Sequence, residues 1–384
     1  MTHPTAHTPP LTLIERLVAR AAGDAEGPPP LSRRIPVGVY TEQARFEQEK
    51  KALFERQPMI IGHESQLPEA GDTLVFDWLG IPLITVRDKA GNIGTFMNVC
   101  RHRGMRLVQE EGQTQLRSMV CPYHQWTYGL DGDLRNIPLE DCFVGLDKAE
   151  LGLVALPTEV RHGLIWIQLD KTLPMDLDAH LAELGPDLDT FAVADYSFFE
   201  QSTRTINCNW KLIQDAFLDG YHVVRLHKNT VGPFFPDSLA ESDLQGNHIR
   251  SAVARNEIFD AVNLPTDELN LRLHATFSYT VFPNAVMIFH PDYTSIISLF
   301  PLSPDQTIFV HTMLTPQTPS SEKERAHFQR SFAMIDKGVF EAEDIFASEG
   351  TQRGLRSGAN EGLLFGAYEA TALQFHDLVE QALK

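Results

Sequence analysis

Two short motifs, each with one cysteine and one histidine, constrain the fold of this chain more than any other feature. Cys100 and His102 form the first pair, and Cys121 and His124 form the second. In a cluster of two irons, two thiolates can hold one iron and two imidazoles the other, so that each pair supplies one ligand to each iron. A Cys2His2 zinc site is the alternative, but structural zinc normally uses gaps of roughly two to four residues within a pair. The pattern therefore predicts two loops that meet at a two-iron cluster.

Length, charge and cysteine content favour a two-domain protein of the cytoplasm. The chain has 384 residues, which is more than one hydrophobic core usually spans. Its formal net charge of -19 repels phosphate backbones and anionic lipid surfaces, so we expect neither nucleic acid nor a membrane as partner. Only four cysteines are present, and the polar stretch 1–10 lacks the features of a secretory signal. A reducing compartment, in which the thiols can bind metal, is therefore expected.

The spacing of apolar residues predicts mixed α and β structure. A helix is expected from Ile14 to a stop at Gly23, and a second over 41–54 with Thr41 as its cap. The stretch 73–99 has the short β-rich runs and turn residues of antiparallel hairpins. In the C-terminal half the predicted elements are a helix over 209–221, strands within 275–300 and 307–314, and helices from 321 onward.

A second group of candidate ligands lies in the C-terminal half. Asp215, Asp219 and His222 are spaced four and three apart, which places them on one face of a helix. His227 would lie roughly 140° from His222 around an ideal helix, so both can bind one ion only if the helix is interrupted. We predict this interruption at Val223–Leu226. Two imidazoles and one carboxylate on one side of Fe(II) leave positions open for O2 and water, and the carboxylate must come from elsewhere.

Both groups stand within longer runs that resemble one family. The runs Cys100–Gly104 and Cys121–Gly132 closely resemble the Rieske domain of ring-hydroxylating oxygenase α subunits. The spacing of Asp219–His227 is similar to the iron-binding stretch of the same family. Two departures are Gln125, where the family usually has glycine, and the stretch 103–120 between the pairs, which is slightly long. Neither departure changes a predicted ligand.

The resemblance implies two metal centres and their ligands. The implied ligands of a [2Fe-2S] cluster are Cys100, His102, Cys121 and His124. Those implied for a mononuclear Fe(II) are His222 and His227, together with a carboxylate. The segment 340–352 resembles the stretch that supplies the carboxylate ligand, for which we choose Asp344, with Glu343 as the alternative. Asp219 is implied to link His222 to His124 of the partner subunit, which would give a short electron route.

The resemblance also implies an α+β fold, in which an antiparallel β Rieske [2Fe-2S] domain precedes a helix-grip, START-like catalytic domain. We place an N-terminal helical segment that packs on the catalytic domain at 1–40. The Rieske domain is placed at 41–170 and the catalytic, mononuclear iron domain at 171–384.

Three kinds of residue lie outside the two motifs. Cys142 and Cys208 are expected to be ordinary reduced thiols. Isolated histidines such as His311 are expected to be core or surface residues rather than metal ligands. His290 is the exception, because it ends the expected strand 281–290 and is a candidate substrate contact.

The implied function is that of a terminal oxygenase, which uses O2 to monooxygenate or oxidatively dealkylate a small aromatic or amine substrate. Aromatic-ring cis-dihydroxylation is the alternative within the family. A Rieske electron-transfer protein without oxygenase activity and a zinc-stabilised ligand-binding protein are alternatives of other classes. The chain contains no Gly-x-Gly-x-x-Gly fingerprint after a strand, so a separate NAD(P)H-dependent reductase, with or without a ferredoxin, is the implied electron source. The family resemblance also implies a homotrimer.

Overall fold

The computed structural model describes residues 9–384, which fold as two compact units. The small unit spans Phe54–Asp176, and the large unit combines Leu177–Lys384 with the N-terminal residues up to Leu53. Both limits lie somewhat C-terminal of the boundaries predicted after residues 40 and 170.

The segment 41–53 belongs to the core of the large unit rather than to the Rieske domain with which it was predicted to fold. Glu49 is fully buried there and forms an ion pair with Lys211, which is also fully buried. A buried charge is costly unless it is paired, so this contact ties the segment to the large unit. Thr41 does not cap a helix over 41–54, because the helical elements observed here are Gly38–Thr41, Gln43–Glu49 and the π-helical turns Lys50–Glu55.

The small unit consists of antiparallel strands in one five-stranded and two three-stranded sheets. The hairpins predicted within 73–99 are confirmed, and the carboxylate of Asp88 closes one turn by accepting hydrogen bonds from the backbone N–H groups of Ala90 and Asn92. The strands are Met59–His63, Asp72–Phe76, Leu83–Arg87, Ile93–Met97, Gly112–Gln115, Met119–Val120, Thr127–Tyr128, Leu134–Asn136, Ala155–Leu156, Thr158–Arg161 and Leu164–Ile167.

A seven-stranded antiparallel sheet forms the centre of the large unit. Its strands, numbered in chain order, are β1 Ser197–Ile206, β2 Ala240–Gln245, β3 His248–Ala254, β4 Ala275–Val281, β5 Ala285–Phe289, β6 Thr294–Ser303 and β7 Gln306–Thr315. Their spatial order is β1-β7-β6-β5-β4-β3-β2. Every residue of β5 is buried, which explains its unbroken apolar run. The expected strand 281–290 is therefore the end of β4, a turn and β5.

Several helices pack against strands of this sheet. The predicted N-terminal helix is observed as Leu11–Ala22, and it ends at Gly23, whose positive φ of 83° suits glycine. Arg20 of this helix donates to the carbonyl of Ala240 at the start of β2. Among the described residues no helix combines the length and the apolar character needed to cross a bilayer. The remaining α-helices are Leu177–Leu181, Gly185–Thr190, Trp210–Phe217, Val223–Leu226, Leu271–His274, Glu322–Ala333, Phe346–Leu355 and Ala370–Ala382, and strand Ser32–Pro36 pairs with Gly362–Gly366.

A long helical segment near the C-terminus has an unusual middle. Helix Glu322–Ala333 continues through π-helical turns over Met334–Ile345 into helix Phe346–Leu355. Such turns are often found at functional sites, because the wider winding changes the direction of successive side chains. Glu343 and Asp344 lie within these turns.

Candidate metal centres

The helix that leads into the histidine motif ends earlier than predicted. Its N-terminus is capped by Asn209, whose side chain accepts from the backbone N–H of Lys211, but the helix stops at Phe217. Asp219 and His222 therefore lie beyond it and do not share a helical face with Asp215, as the spacing had suggested. The interruption predicted at Val223–Leu226 is wrong, since that stretch is itself a short helix. The break lies before it, over residues 218–222.

This short helix brings the two histidines together. Nε2 of His222 lies 3.1 Å from Nε2 of His227, and Oδ1 of Asp344 lies 3.5 Å and 3.3 Å from these two atoms. Adjacent ligands at right angles around an ion with bonds of about 2.1 Å are about 3.0 Å apart. Oδ1 of Asp344 is buried without a hydrogen bond of its own. The three atoms therefore have the spacing of three neighbouring ligands on one side of an ion, and they fit the iron site that the sequence predicts.

The outward-facing nitrogen of each histidine lies near a second carboxylate. Nδ1 of His227 donates to Oε2 of Glu343 at 2.7 Å, and Nδ1 of His222 lies 3.5 Å from Oδ2 of Asp219, at ion-pair distance. A proton held on Nδ1 leaves the lone pair of the imidazole on Nε2, where a metal can bind. Glu343, the alternative ligand in the sequence analysis, thus contacts the far side of His227, and Asp344 faces the pair of Nε2 atoms.

The acidic surroundings control the charge of this site. Burial lowers the pKa of His222, but the nearby carboxylates of Asp219 and Asp344 outweigh it and raise that pKa to about 10. Burial raises the pKa of Asp344, whereas its contacts with the two histidines lower it by more. Without a metal the carboxylates therefore favour the charged form of His222, and a bound divalent cation would take the place of that proton.

A cavity of about 640 Å³ in the large unit is lined by the three candidate ligands. This volume suits a small organic molecule. Its walls near the ligands are largely apolar, with Phe217, Ile288, Val339 and Phe340 among the lining side chains. His290 also lines the cavity, as the sequence analysis suggested. A substrate can therefore approach the metal ligands in a mostly apolar space.

The small unit holds the two Cys-His pairs on loops with the same backbone pattern. The N–H of Cys100 donates to the carbonyl of Met105, and the N–H of Cys121 donates to the carbonyl of Trp126. The carbonyl of each cysteine in turn accepts from the residue four positions later, Gly104 in one loop and Gln125 in the other. Both loops thus curl in the same way around their cysteine.

Gln125, which stands where the family usually has glycine, adopts a backbone conformation that favours glycine. Gly104 and Gln125 are the equivalent residues of the two loops, and both have a positive φ, 75° and 58° respectively. This left-handed conformation is free for glycine and costs an ordinary residue roughly 1 kcal/mol or more. The second loop therefore keeps the backbone shape despite an unfavourable residue.

The thiols and imidazoles of these loops differ in exposure. Cys100 and Cys121 are almost completely buried, at 2% and 1% exposure, whereas His102 and His124 are half-buried. The two imidazole rings lie 4.6 Å apart, and the ring of His102 stacks on Trp126. Nδ1 of His102 is buried without a hydrogen bond. Paired buried thiols beside paired imidazoles match the donor set of a cluster with one thiolate-bound and one imidazole-bound iron.

Burial raises the pKa of the Cys100 thiol, and neighbouring Cys121 raises it further, although the hydroxyl of Tyr128 at 3.4 Å from Cys100 Sγ acts in the opposite direction. A bound metal removes this obstacle, because a coordinated thiol loses its proton. Cys142 and Cys208 are unpaired and lie apart from these loops in the sequence, one exposed and one buried.

The side-chain contacts of His311 were not predicted from the sequence. His311 is buried in the large unit, where Nδ1 contacts Asp336 at 3.0 Å and Nε2 contacts the hydroxyl of Ser295 at 3.1 Å. The order Ser, His, Asp resembles a hydrolase triad, but all three side chains are at most 2% exposed. The group therefore stabilises the core, as was expected of an isolated histidine.

Two protein families match the chain. The Rieske [2Fe-2S] domain matches residues 57–157, and the ring hydroxylating alpha subunit (catalytic domain) matches residues 193–384. The catalytic domain of this family binds a mononuclear iron.

The individual relatives include both dioxygenases and monooxygenases. The biphenyl 2,3-dioxygenase subunit alpha of Rhodococcus jostii (strain RHA1) is 35% identical over 219 residues, which cover 55% of this chain and 47% of that protein. The chain thus matches about half the length of this relative. The carnitine monooxygenase oxygenase subunit of Escherichia coli (strain K12) is 26% identical over 368 residues, which cover 91% of this chain and 94% of that protein.

Comparison with solved structures gives the same fold. The quaternary ammonium Rieske monooxygenase CntA in complex with L-carnitine superimposes with a TM-score of 0.78 at 21% identity, covering 91% of this chain and 96% of that chain. The predicted fold class, family and two cofactors are confirmed. The chain belongs to the family of ring-hydroxylating oxygenase α subunits, with a Rieske [2Fe-2S] domain followed by an iron-binding catalytic domain.

Proposed function

We propose that this chain is the terminal oxygenase component of a multicomponent system, which oxidises a small organic substrate with O2. The observation that carries the proposal is the arrangement of His222, His227 and Asp344. Their ligand atoms lie within 4.8 Å of one another and line a cavity large enough for a substrate. An electron carrier would use neither this cavity nor these ligands.

Different residues of the chain would hold the two metal centres. Cys100, Cys121, His102 and His124 would hold the [2Fe-2S] cluster, and His222, His227 and Asp344 would hold the iron. When bound, the two centres supply electron transfer and O2 activation. Glu343 keeps a proton on Nδ1 of His227, and the charge of Asp219, at ion-pair distance, favours a proton on Nδ1 of His222. The apolar side chains of the cavity limit the water that reaches the substrate.

The proposed reaction is monooxygenation or oxidative dealkylation of an aromatic or amine substrate. Hydroxylation of a carbon next to nitrogen or oxygen gives an unstable product, which releases the alkyl group as an aldehyde. Cis-dihydroxylation of an aromatic ring is the second candidate, which the similarity to a biphenyl dioxygenase subunit favours. Analysis of products with and without released aldehyde distinguishes the two reactions.

The partners follow from the electron requirement. We propose a separate NAD(P)H-dependent reductase, with or without a ferredoxin, as the source of electrons. We also propose a homotrimer, in which Asp219 accepts a hydrogen bond from His124 of the partner subunit. The side chain of Asp219 is 19% exposed, which leaves room for such a contact. Four unpaired cysteines support a location in the reducing cytoplasm.

Anaerobic measurement of iron and sulfide, followed by O2 uptake with a generic reductase, tests the proposal. We expect two sulfides and three irons per chain, from one cluster and one mononuclear site. Asp344→Ala should lose one iron, keep its sulfide and its visible spectrum, and consume no substrate-dependent O2. Glu341→Ala, which removes an exposed carboxylate of the same helical segment, is the control. Two irons in the wild-type protein after reconstitution would contradict the oxygenase function and favour an electron carrier.

A further inference from the structure

One wall of the cavity is formed by the sheet. Residues two apart on a strand face the same side, and paired residues of neighbouring antiparallel strands share a face. Val253 of β3 pairs with Thr276 of β4, and Ser278 of β4 pairs with Ile288 of β5. All four of these residues line the cavity, so β3, β4 and β5 present one face to it. His290, two residues after Ile288, continues the same face.

Four polar side chains of this wall have a buried polar atom without a hydrogen bond. The atoms are Oγ of Ser251, Nε of Arg255, Oγ1 of Thr276 and Nε2 of His290, and the residues all line the cavity. We call these four residues the polar wall. Buried polar groups in native proteins nearly always have a partner, because an unsatisfied group costs roughly 1–3 kcal/mol. Several such groups on one cavity face indicate that a ligand supplies the missing partners.

The charge of the polar wall comes from Arg255. Its guanidinium group lies over the rings of Phe234 and Phe235, at 5.8 Å and 5.9 Å from their centres, and both rings also line the cavity. The carboxylate of Glu257 lies 3.5 Å from Nε of Arg255 without an aligned hydrogen bond, and its side chain is 41% exposed. The Glu257 oxygen that faces Nε is itself buried without a hydrogen bond, so Nε of Arg255 still lacks an aligned acceptor, which a ligand can supply.

His290 adds an uncharged hydrogen-bonding group to the polar wall. Burial lowers the pKa of His290 to about 3, and the positive charge of Arg255 is among the further causes, so the imidazole is neutral near pH 7. A neutral imidazole can donate a hydrogen bond without adding a charge. Its ring stacks on Tyr293 at 4.2 Å, which fixes its orientation. Two hydroxyls, one imidazole and one guanidinium group together offer donors to a group with several acceptor lone pairs.

Of the carboxylates that line the same cavity, all but the solvent-exposed Glu26 already have partners. Asp292 accepts from His327 at 2.6 Å, and Glu241 pairs with Arg20 at 2.9 Å. Asp219 and Asp344 face the histidines of the metal site. No buried carboxylate of the lining is therefore free to bind a cationic head group.

We propose that the polar wall binds a carboxylate of the substrate, so that this oxygenase acts on organic acids with an apolar or aromatic body. The inference rests on the proposed function, and it makes Arg255 the main residue that determines specificity. The apolar part of the substrate then extends along Phe217 and Phe340 toward the metal ligands. A carboxylate accepts two or more hydrogen bonds at once and gains most from a guanidinium donor.

Binding measured apart from turnover tests this proposal. Anaerobic calorimetry of the metal-loaded protein compares three acids with their uncharged amides: benzoic acid, 3-phenylpropanoic acid and biphenyl-4-carboxylic acid. Phenethyltrimethylammonium is the cationic comparison compound, because its phenylalkyl part resembles that of 3-phenylpropanoic acid. In at least one pair, the acid should bind about 10- to 100-fold more tightly than the amide, the range expected of one charge-assisted hydrogen bond. The cation should bind more weakly than that acid.

Variants of the polar wall test whether the preference for acids over amides depends on its residues. Arg255→Gln should abolish the advantage of the acid and leave the affinity for the amide unchanged, which also shows that the variant is folded. Thr276→Val, which keeps the shape of the side chain, should reduce the advantage in part. Arg325→Gln is the matched control, because it removes an equal charge from an exposed arginine that does not line the cavity.

The outcomes separate this inference from the proposed function. An equal affinity for acid and amide in every pair, binding of none of the acids, tighter binding of the cation, or an undiminished preference in Arg255→Gln would each overturn the carboxylate proposal. These results would leave the oxygenase function intact if a neutral aromatic compound still supports coupled O2 uptake. If acids bind as expected but no compound is oxidised, the oxygenase function fails and the binding proposal stands.

Discussion

Replacing Asp219 by asparagine tests how the iron site is oriented. Oδ1 of Asp219 accepts from the backbone N–H of Tyr221 at 2.6 Å, and Oδ2 faces Nδ1 of His222. Asparagine keeps the shape of the side chain, but one of these two oxygen positions becomes an NH2 group. That group can only donate, so one of the two contacts must be lost.

Both orientations of the asparagine are unfavourable. If the NH2 group faces His222, Nδ1 must accept, and the proton moves to Nε2, where it blocks the metal. If the NH2 group faces Tyr221 instead, two donors meet at 2.6 Å. The first orientation removes the carboxylate charge beside Nδ1 of His222, and loss of such a partner of a metal-binding histidine typically costs about 10- to 100-fold in metal affinity. We therefore expect the affinity for Fe(II) and the rate of coupled turnover to fall by about 10- to 100-fold.

An anaerobic Fe(II) titration followed by O2 uptake measures both effects. At saturating iron, Asp219→Asn should hold both metal centres, keep its sulfide content and form product slowly. Asp237→Asn is the matched control, because this carboxylate is exposed and pairs with Arg225 away from the histidine nitrogens. Wild-type affinity for iron together with undiminished coupled turnover would refute the orientation argument. Normal iron affinity with slow turnover would instead support a role in electron transfer alone.

Three further predictions concern the two units. Glu343→Gln should weaken Fe(II) binding about 10- to 100-fold without loss of sulfide, and an unchanged iron titration would exclude its role as partner of His227. Gln125→Gly should raise the free energy of unfolding by about 0.5–1 kcal/mol in urea titrations, whereas Gly104→Ala should lower it, because both positions have a positive φ. Burial lowers the pKa of His248 to about 4, so the stability that its neutral form contributes is complete above about pH 6.5 and is lost as the pH falls toward 4. Between pH 7.5 and 5.5 the wild-type protein should lose about 1 kcal/mol more than His248→Gln in urea titrations, and equal losses would contradict this assignment.

The sequence predicted which candidate ligands lie close together better than it predicted the local backbone that carries them. Cysteine and histidine pairs are informative because few other roles require these residues at such short spacing, and their loops do meet in the small unit. Asp219 and His222 were placed on a helix by their spacing, yet the helix ends at Phe217. Periodicity cannot show where a helix stops when no glycine or proline marks the end, since tertiary contacts decide it.

The choice between Glu343 and Asp344 could not be made from the sequence alone. Both are acidic, adjacent and part of the same resembling stretch. The π-helical turns over Met334–Ile345 direct one carboxylate to Nδ1 and the other toward Nε2 of His227. A residue pattern with an assumed period of 3.6 does not contain this information. Apart from His290, the polar wall could not be predicted from the sequence either, because its residues lie in or directly after three strands whose register is set by long-range pairing.

The iron site joins parts of the chain that are remote in sequence. The contact between His227 and Glu343 spans 116 positions, and the short helix Val223–Leu226 has few residues of its own to hold the histidines in place. An ion bound by both segments would act as a cross-link that closes a long loop, and a cross-link of this span restricts the unfolded chain strongly. Iron loading and the cooperativity of the large unit should therefore be coupled, so that loss of the metal loosens the wall of the cavity as well as removing its chemistry.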